Sequence, residues 1–307
     1  MTAGYNSFRL AMALCAASVA CAESAGRVPG LVGGSVFPAE SRLILVPVTV
    51  VDRNGASVLN LRQDQFRVFD NAEQLPIVSF SREEAPVMLG VVLDLSGSMK
   101  SKIPHALEAV RAITNFAEQV DQGFLITFAD RPELRVDVTS NLKALANPWQ
   151  LPTARGGTAL VDAAFDALQK TRSTRHNRRA LLIVSDGGDN SSRRGETELT
   201  ALAREAETQV YSISIQERSA NKEERRGYYI LHDLSKRTGG LHFLVRDRRE
   251  LPEIAEKIAI AMRNTYVIGY KPPPNLEPGK WRNIRVALAG AGKSHRLSAK
   301  NGYYVPE

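Results

Sequence analysis

Three runs in this chain, VMLGVVL (87–93), FLITF (124–128) and ALLIV (180–184), carry apolar side chains on consecutive rather than alternate positions. Successive strand residues point to opposite faces, so such runs leave no face for water. A sheet built from them must be covered on both sides, as parallel sheets are when helices pack against each face. The segments between them supply the helices: IPHALEAVRAITNFAEQV (103–120), TALVDAAFDALQKT (158–171), ETELTALAREAET (196–208) and ELPEIAEKIAIAMRN (250–264) read as helical. An edge strand at LRVDVT (134–139) and further strands at QVYSISI (209–215) and GLHFLV (240–245) complete the series. Strands alternating with helices predict a doubly wound, mostly parallel α/β sheet with right-handed crossovers over residues 86–265.

The flanks follow a different pattern. RLILVPVTVVD (42–52) is rich in β-branched residues, Asn54-Gly55 is a turn signal, and SVLNL (57–61) is expected to continue the strand structure. DQFRVFDNAEQLPIVSFS (64–81) reads as two short strands around a polar turn at Asp70–Glu73. Beyond the last helix, TYVIGYKPPP (265–274), GKWRNIRVALA (279–289) and HRLSAKNGYYV (295–305) return to strand. The β, α/β, β order predicts a small β-sandwich-like module assembled from 42–85 and 266–307, with the α/β domain inserted between its halves.

The N-terminus reads as an address. Arg9 precedes the short apolar run LAMALCAASVA (10–20), and Ala20-Cys21-Ala22 fits a cleavage pattern, so residues 1–22 are expected to be a secretory signal peptide. Residues 23–41, small and rich in Gly and Pro, are expected to be a linker. Val19 and Ala20 before Cys21 also resemble a lipoprotein box, from which Ser18 departs by standing where the box has an aliphatic residue, and that alternative puts a lipid anchor on Cys21. Cys15 and Cys21 are the only cysteines, so cleavage after Ala22 leaves no thiol chemistry. An exported protein in the periplasm, at the cell surface or outside the cell is the expectation, with no transmembrane segment in the mature chain. The formal charge of +7 loses only Arg9 with the leader. Its basic clusters do not interleave with aromatic residues, and no nucleic-acid motif is present, so nucleic acid is not expected as a partner.

The first apolar run ends in Asp94-Leu95-Ser96-Gly97-Ser98. Open α/β sheets bind ligands at the carboxyl ends of their strands, which is where Asp94 falls. A carboxylate and two hydroxyls at alternate positions of a turn are hard oxygen donors, suited to Mg²⁺, Mn²⁺ or Ca²⁺ rather than Zn²⁺. Thr158, after Arg155-Gly156-Gly157, opens a predicted helix, and Asp186 follows the run ending in Ser185, so both stand at comparable strand-to-helix positions. Asp94 and Ser96 alone are equally what a turn or helix cap uses.

Together, Asp94-x-Ser96-x-Ser98, Gly157-Thr158 and Ser185-Asp186-Gly187 resemble the metal-ion-dependent adhesion site of von Willebrand factor type A domains. The resemblance covers about 86–265. It implies a single divalent cation, Mg²⁺ or else Mn²⁺ or Ca²⁺, held by Asp94, Ser96, Ser98, Thr158 and Asp186. Ser96, Ser98 and Thr158 then supply hydroxyl or water-mediated contacts and the two carboxylates supply charge. It implies a protein partner whose Asp or Glu completes the coordination. The flanks VPVTVVDRNGASVLNL and FRVFDN and the ending NGYY are similar to an exported, type A-related family of acidobacterial type.

Enzyme readings find little support. The turn after the strand lacks the first glycine of G-x-S-x-G, and there is no Walker loop or dinucleotide fingerprint. His105, His176, His232, His242 and His295 form no H-x-x-x-H pair and read as surface or packing residues. A metal-assisted hydrolase using Asp94 and Asp186, with no general base to name, is one alternative. A structural module with an empty metal site is the other. Asp189 and Asn190 read as polar loop residues, and Asp130 and Asp162 as structural.

Overall fold

The computed structural model describes residues 43–83, 85–216, 221–290 and 294–306. The predicted leader and linker, with Cys15 and Cys21, lie outside the described residues. In chain order the elements are β1 (Ile44–Asp52), β2 (Phe66–Asp70), β3 (Glu73–Leu75), β4 (Ile77–Glu83), β5 (Val87–Asp94), α1 (Ile103–Asn115), β6 (Gln122–Phe128) and β7 (Pro132–Thr139). They continue as α2 (Leu160–Arg172), β8 (Arg178–Ser185), α3 (Glu196–Glu205), β9 (Gln209–Ile215), α4 (Lys222–Thr238), β10 (His242–Val245) and α5 (Leu251–Arg263). The chain closes with β11 (Thr265–Tyr270), β12 (Trp281–Leu288), β13 (His295–Ala299) and β14 (Gly302–Tyr304).

Five of the six strands of the central sheet, ordered β10-β9-β8-β5-β6-β7, run parallel, and β7 pairs antiparallel at the edge. The doubly wound α/β fold expected from the apolar runs is the fold observed. In β5, Val87, Leu89, Val91 and Leu93 pack toward α1 and α5. Met88 and Val92 pack toward α2, α3 and α4. Both parities are buried, which is why no polar alternation appears. Each such side chain withdrawn from water contributes about 1.5–3 kcal/mol. After β5 the chain steps to β6 on one side and later to β8 on the other, so the strand order reverses between β5 and β8. The crevice outside their carboxyl ends is where this architecture binds ligands.

Two four-stranded antiparallel sheets flank this layer, ordered β13-β1-β11-β4 and β14-β12-β2-β3. Each combines strands from before β5 with strands from after α5; Val46 pairs with Ile268 and Val68 with Val286. They share one apolar core of Ile44, Val46, Val48, Phe66, Val68, Tyr266, Ile268, Ile284 and Tyr303.

Several local expectations need correction. Residues 57–61 make no strand: after a bridge between Val51 and Ser57, the segment is held by Tyr266, whose hydroxyl donates to the Val58 carbonyl and accepts from Leu61 N–H. The 64–81 region forms three strands, because Pro76 lacks an N–H and separates β3 from β4, which join different sheets. The stretch 295–305 likewise splits into β13 and β14. Helix α1 stops at Asn115, well short of 120. Asp121 pins the following turn by accepting N–H bonds from Val87 and Glu118 at 2.8 and 2.7 Å.

Candidate metal centre

Asp94 is the last residue of β5 and is fully buried. Its Oδ1 accepts the Ser96 N–H at 2.8 Å, and its Oδ2 accepts the Ser185 hydroxyl, from the end of β8, at 2.5 Å. That pair of bonds turns the chain sharply and brings the Ser96 and Ser98 hydroxyls within 3.1 Å of each other. Adjacent ligands of an octahedral ion at about 2.1 Å stand about 3.0 Å apart, so this spacing fits two neighbouring positions around Mg²⁺. Gly97 N–H donates to the Gly156 carbonyl at 3.1 Å, and Arg155 N–H donates to the Leu95 carbonyl at 3.0 Å. These bonds tie the first loop to the segment carrying Thr158.

Thr158 does not begin a helix as expected; α2 starts at Leu160. Asn190 holds it back. Its Oδ1 accepts Thr158 N–H at 2.9 Å, while the N–H groups of Asn190 and Ser191 donate to the Thr158 carbonyl. The first N–H groups of α2, which lack intrahelical acceptors, are served from the same loop: Asp189 Oδ1 accepts from Val161 and Ser192 Oγ accepts from Asp162. In return the Asp162 carboxylate accepts the N–H groups of Arg193 and Arg194, each at 3.0 Å. Asp130, after β6, accepts Gly157 N–H at 2.6 Å. Gly187, at φ +89°, lets the chain turn away immediately after Asp186. A Cβ on Gly188 would lie 3.6 Å from Thr158 Oγ1, which places that hydroxyl against the loop carrying Asp186.

Asp94, Ser96, Ser98, Thr158 and Asp186 therefore meet at one rim of the sheet, from three loops. All but Ser98 are buried. Burial pushes the Asp94 carboxyl up to about 7, with the charge of Asp186 adding to the rise, against the hydrogen bonds from Ser185 and Ser96. Two carboxylates packed together in a low-dielectric site are short of positive charge. Part of that charge comes from Lys102, whose Nζ lies 2.7 Å from Asp186 Oδ2, with both side chains buried. Oxygen donors dominate, and among the described residues no three His, Cys, Asp or Glu are placed to hold a metal ion between them. The donor set fits a hard divalent cation rather than zinc. Both Asp94 oxygens are already engaged, which suits contact through water. The Thr158 hydroxyl makes no hydrogen bond to any described residue and is free to act as a ligand.

Residues 89–188 match the von Willebrand factor type A domain family. The type A match thus includes every candidate ligand from Asp94 to Asp186. Among solved structures, the chain is similar to a von Willebrand factor type A protein from Catenulispora acidiphila, at 12% identity over 88% of this chain and 76% of that one, with a TM-score of 0.48. The conserved hypothetical protein BatB from Bacteroides thetaiotaomicron aligns at 18% identity over 57% of this chain and 98% of that one, TM-score 0.44. The von Willebrand domain of the type V pili tip protein Mfa5 from Porphyromonas gingivalis aligns at 11% identity over 58% and 95%, TM-score 0.48. No curated protein matches the chain.

Three residues at this rim were given no role in the site by the sequence reading. Ser185 stood beside Asp186 in the motif with no role of its own, yet it is the hydroxyl that holds Asp94. Asn190 read as an ordinary loop residue. Lys102 carried a usable signal: a cation just before a helix faces the positive end of the helix dipole, so something negative must hold it there.

Proposed function

We propose that this chain is an exported protein-interaction module that binds its partner through a divalent cation held by Asp94, Ser96, Ser98, Thr158 and Asp186. A carboxylate from the partner's Asp or Glu completes the coordination. The observation that carries this reading is the meeting of two buried carboxylates with three hydroxyls at the reversal point of the sheet, one carboxyl pushed up to about 7 by its burial and by the charge of the other. Mg²⁺, or Mn²⁺ or Ca²⁺ in its place, supplies the missing charge and a site of attraction for an anion. The protein's own part is to hold the donors in place. Asp94 is oriented by Ser96 and Ser185, and Thr158 is fixed by Asn190. In this reading no bond is made or broken, and Ser185, the hydroxyl nearest a basic carboxylate, is too deeply buried to attack a substrate. Export rests on the leader read in residues 1–22.

The test is affinity capture on the immobilised mature protein from the native cell envelope, in Mg²⁺ and in EDTA. A partner retained in Mg²⁺ is expected to be released by EDTA and absent on Asp94→Ala. Retention that ignores both the chelator and the substitution would end this reading.

A further inference from the structure

The site as built already contains a cation. Lys102 stands immediately before α1, its backbone carbonyl accepting the Ala106 N–H, with no capping bond from its side chain. The positive end of the helix dipole disfavours an ammonium there, and at 7% exposure the residue has little water to compensate it. What holds Lys102 is Asp186 Oδ2, at 2.7 Å, one of the carboxylates that the proposed function assigns to the divalent ion. An ammonium and a dication thus call on the same carboxylate.

We propose that Lys102 is an internal counter-cation that weakens the free site's hold on a divalent ion and makes binding of the ion and of an incoming carboxylate depend on each other. The inference rests on the metal-dependent reading above and deepens it. Asp94, Asp186 and Lys102 together carry one net negative charge when both acids are ionised. A dication arriving alone leaves the buried cluster with one net positive charge, which is costly away from water. A carboxylate arriving with it brings the cluster to neutrality. Without Lys102 the order of preference reverses: the dication alone neutralises the two acids, and the carboxylate then adds an uncompensated negative charge. Lysine at this position therefore moves affinity from the ion to the ion-plus-carboxylate state. Coupling of this kind is reciprocal, so whatever the carboxylate gains from the ion, the ion gains from the carboxylate. The physical outcome is a site whose loading follows partner arrival rather than the ambient level of the cation.

The experiment is calorimetric titration of the folded mature protein with Mn²⁺, in acetate-free buffer and in excess acetate as the probe carboxylate, for the wild type, Lys102→Gln and Lys102→Arg. In acetate-free buffer Lys102→Gln is expected to bind Mn²⁺ about tenfold more tightly than the wild type, and Lys102→Arg, which keeps the charge, to stay close to it. Acetate is expected to tighten Mn²⁺ binding by the wild type and by Lys102→Arg, and to leave Lys102→Gln unimproved. Equal or weaker Mn²⁺ binding by Lys102→Gln overturns the proposal while the metal site stands. So does a wild type indifferent to acetate, a result that needs no variant to fold. Failure of all three proteins to bind Mn²⁺ removes the metal reading and this inference together.

Discussion

Asp70 and Asp94 are both fully buried, and they sit in opposite electrostatic company. Asp70, in the core shared by the two small sheets, is satisfied from within. Arg282 Nε donates to its Oδ1 at 2.5 Å, and the hydroxyls of Tyr303 and Tyr270 donate to its Oδ2 at 2.8 and 3.1 Å. Burial, reinforced by the Asp70 charge, pushes both phenols upward, so they remain donors across the accessible pH range. Asp94 also accepts hydrogen bonds, but its charged neighbour is another carboxylate, and its own pKa rises to about 7. A buried acid completed by a guanidinium and two hydroxyls belongs to the fold. One left facing a like charge is what the proposed cation would relieve.

Exchanging the two acids for alanine is the strongest way to break that contrast. Asp70→Ala leaves the Arg282 guanidinium and two phenols without their acceptor, and loss of one partner of a buried ion pair costs about 3–5 kcal/mol. The midpoint of urea unfolding should fall accordingly, while Mn²⁺ binding by the remaining folded protein stays unchanged. Asp94→Ala should do the reverse, costing far less stability and abolishing Mn²⁺ binding, because it removes a carboxylate that burial and Asp186 already disfavour. If both variants unfold alike, the distinction between the two acids is wrong.

A half-buried group of the opposite charge type sharpens the comparison. His242, on β10, has Nδ1 2.8 Å from Ser212 Oγ, while its Nε2 has no hydrogen-bond partner among the described residues. The titratable groups around it are His232 and Tyr228 from α4, with ring centroids 5.7 and 4.9 Å away, and Arg296 from β13. Burial, then His232 and Arg296, lower its pKa to about 3. The unfolded imidazole takes up a proton near pH 6.5, and the folded one does not until about pH 3. The unfolded state binds more protons throughout that window, so the contribution is complete above pH 6.5 and is lost as pH falls through it. Between pH 7 and pH 5 the wild type should lose about 2 kcal/mol more than His242→Asn, measured by urea unfolding at both pH values. Parallel losses would show that the imidazole is not held neutral by its surroundings.

The fold was largely legible because apolar runs such as 87–93 can be buried only one way. The five candidate ligands were legible too, since their spacing around strand ends survives in one dimension. What sequence could not display was pairing between distant positions. Nothing local marks Asp70 for Arg282, 212 residues away, or Lys102 for Asp186. The ends of α1 and α2 were misplaced for the same reason: their propensities favour longer helices, and cross-loop bonds to Asp121 and Asn190 stop them. The missing strand at 57–61 is a further case, the Val58 carbonyl and Leu61 N–H being claimed by the distant Tyr266 hydroxyl instead of a ladder.

Asn190 provides the smallest expected loss of stability and the finest test of the contrast. Its Oδ1 accepts the Thr158 N–H at 2.9 Å and the Ser191 hydroxyl at 3.0 Å, and the side chain is exposed. Asn190→Ala leaves those donors to water, which costs about 1 kcal/mol. Yet the bond it removes fixes the residue whose hydroxyl the proposed function assigns to the cation, and groups that orient metal ligands typically govern about 10–100-fold of affinity. Mn²⁺ affinity should therefore fall much further than a 1 kcal/mol change in the urea midpoint suggests. Asn190→Asp, which keeps the acceptor, should restore most of it. Were Asn190→Ala to lose stability while Mn²⁺ bound as before, Thr158 would belong with Asp70, among the groups whose work ends with folding.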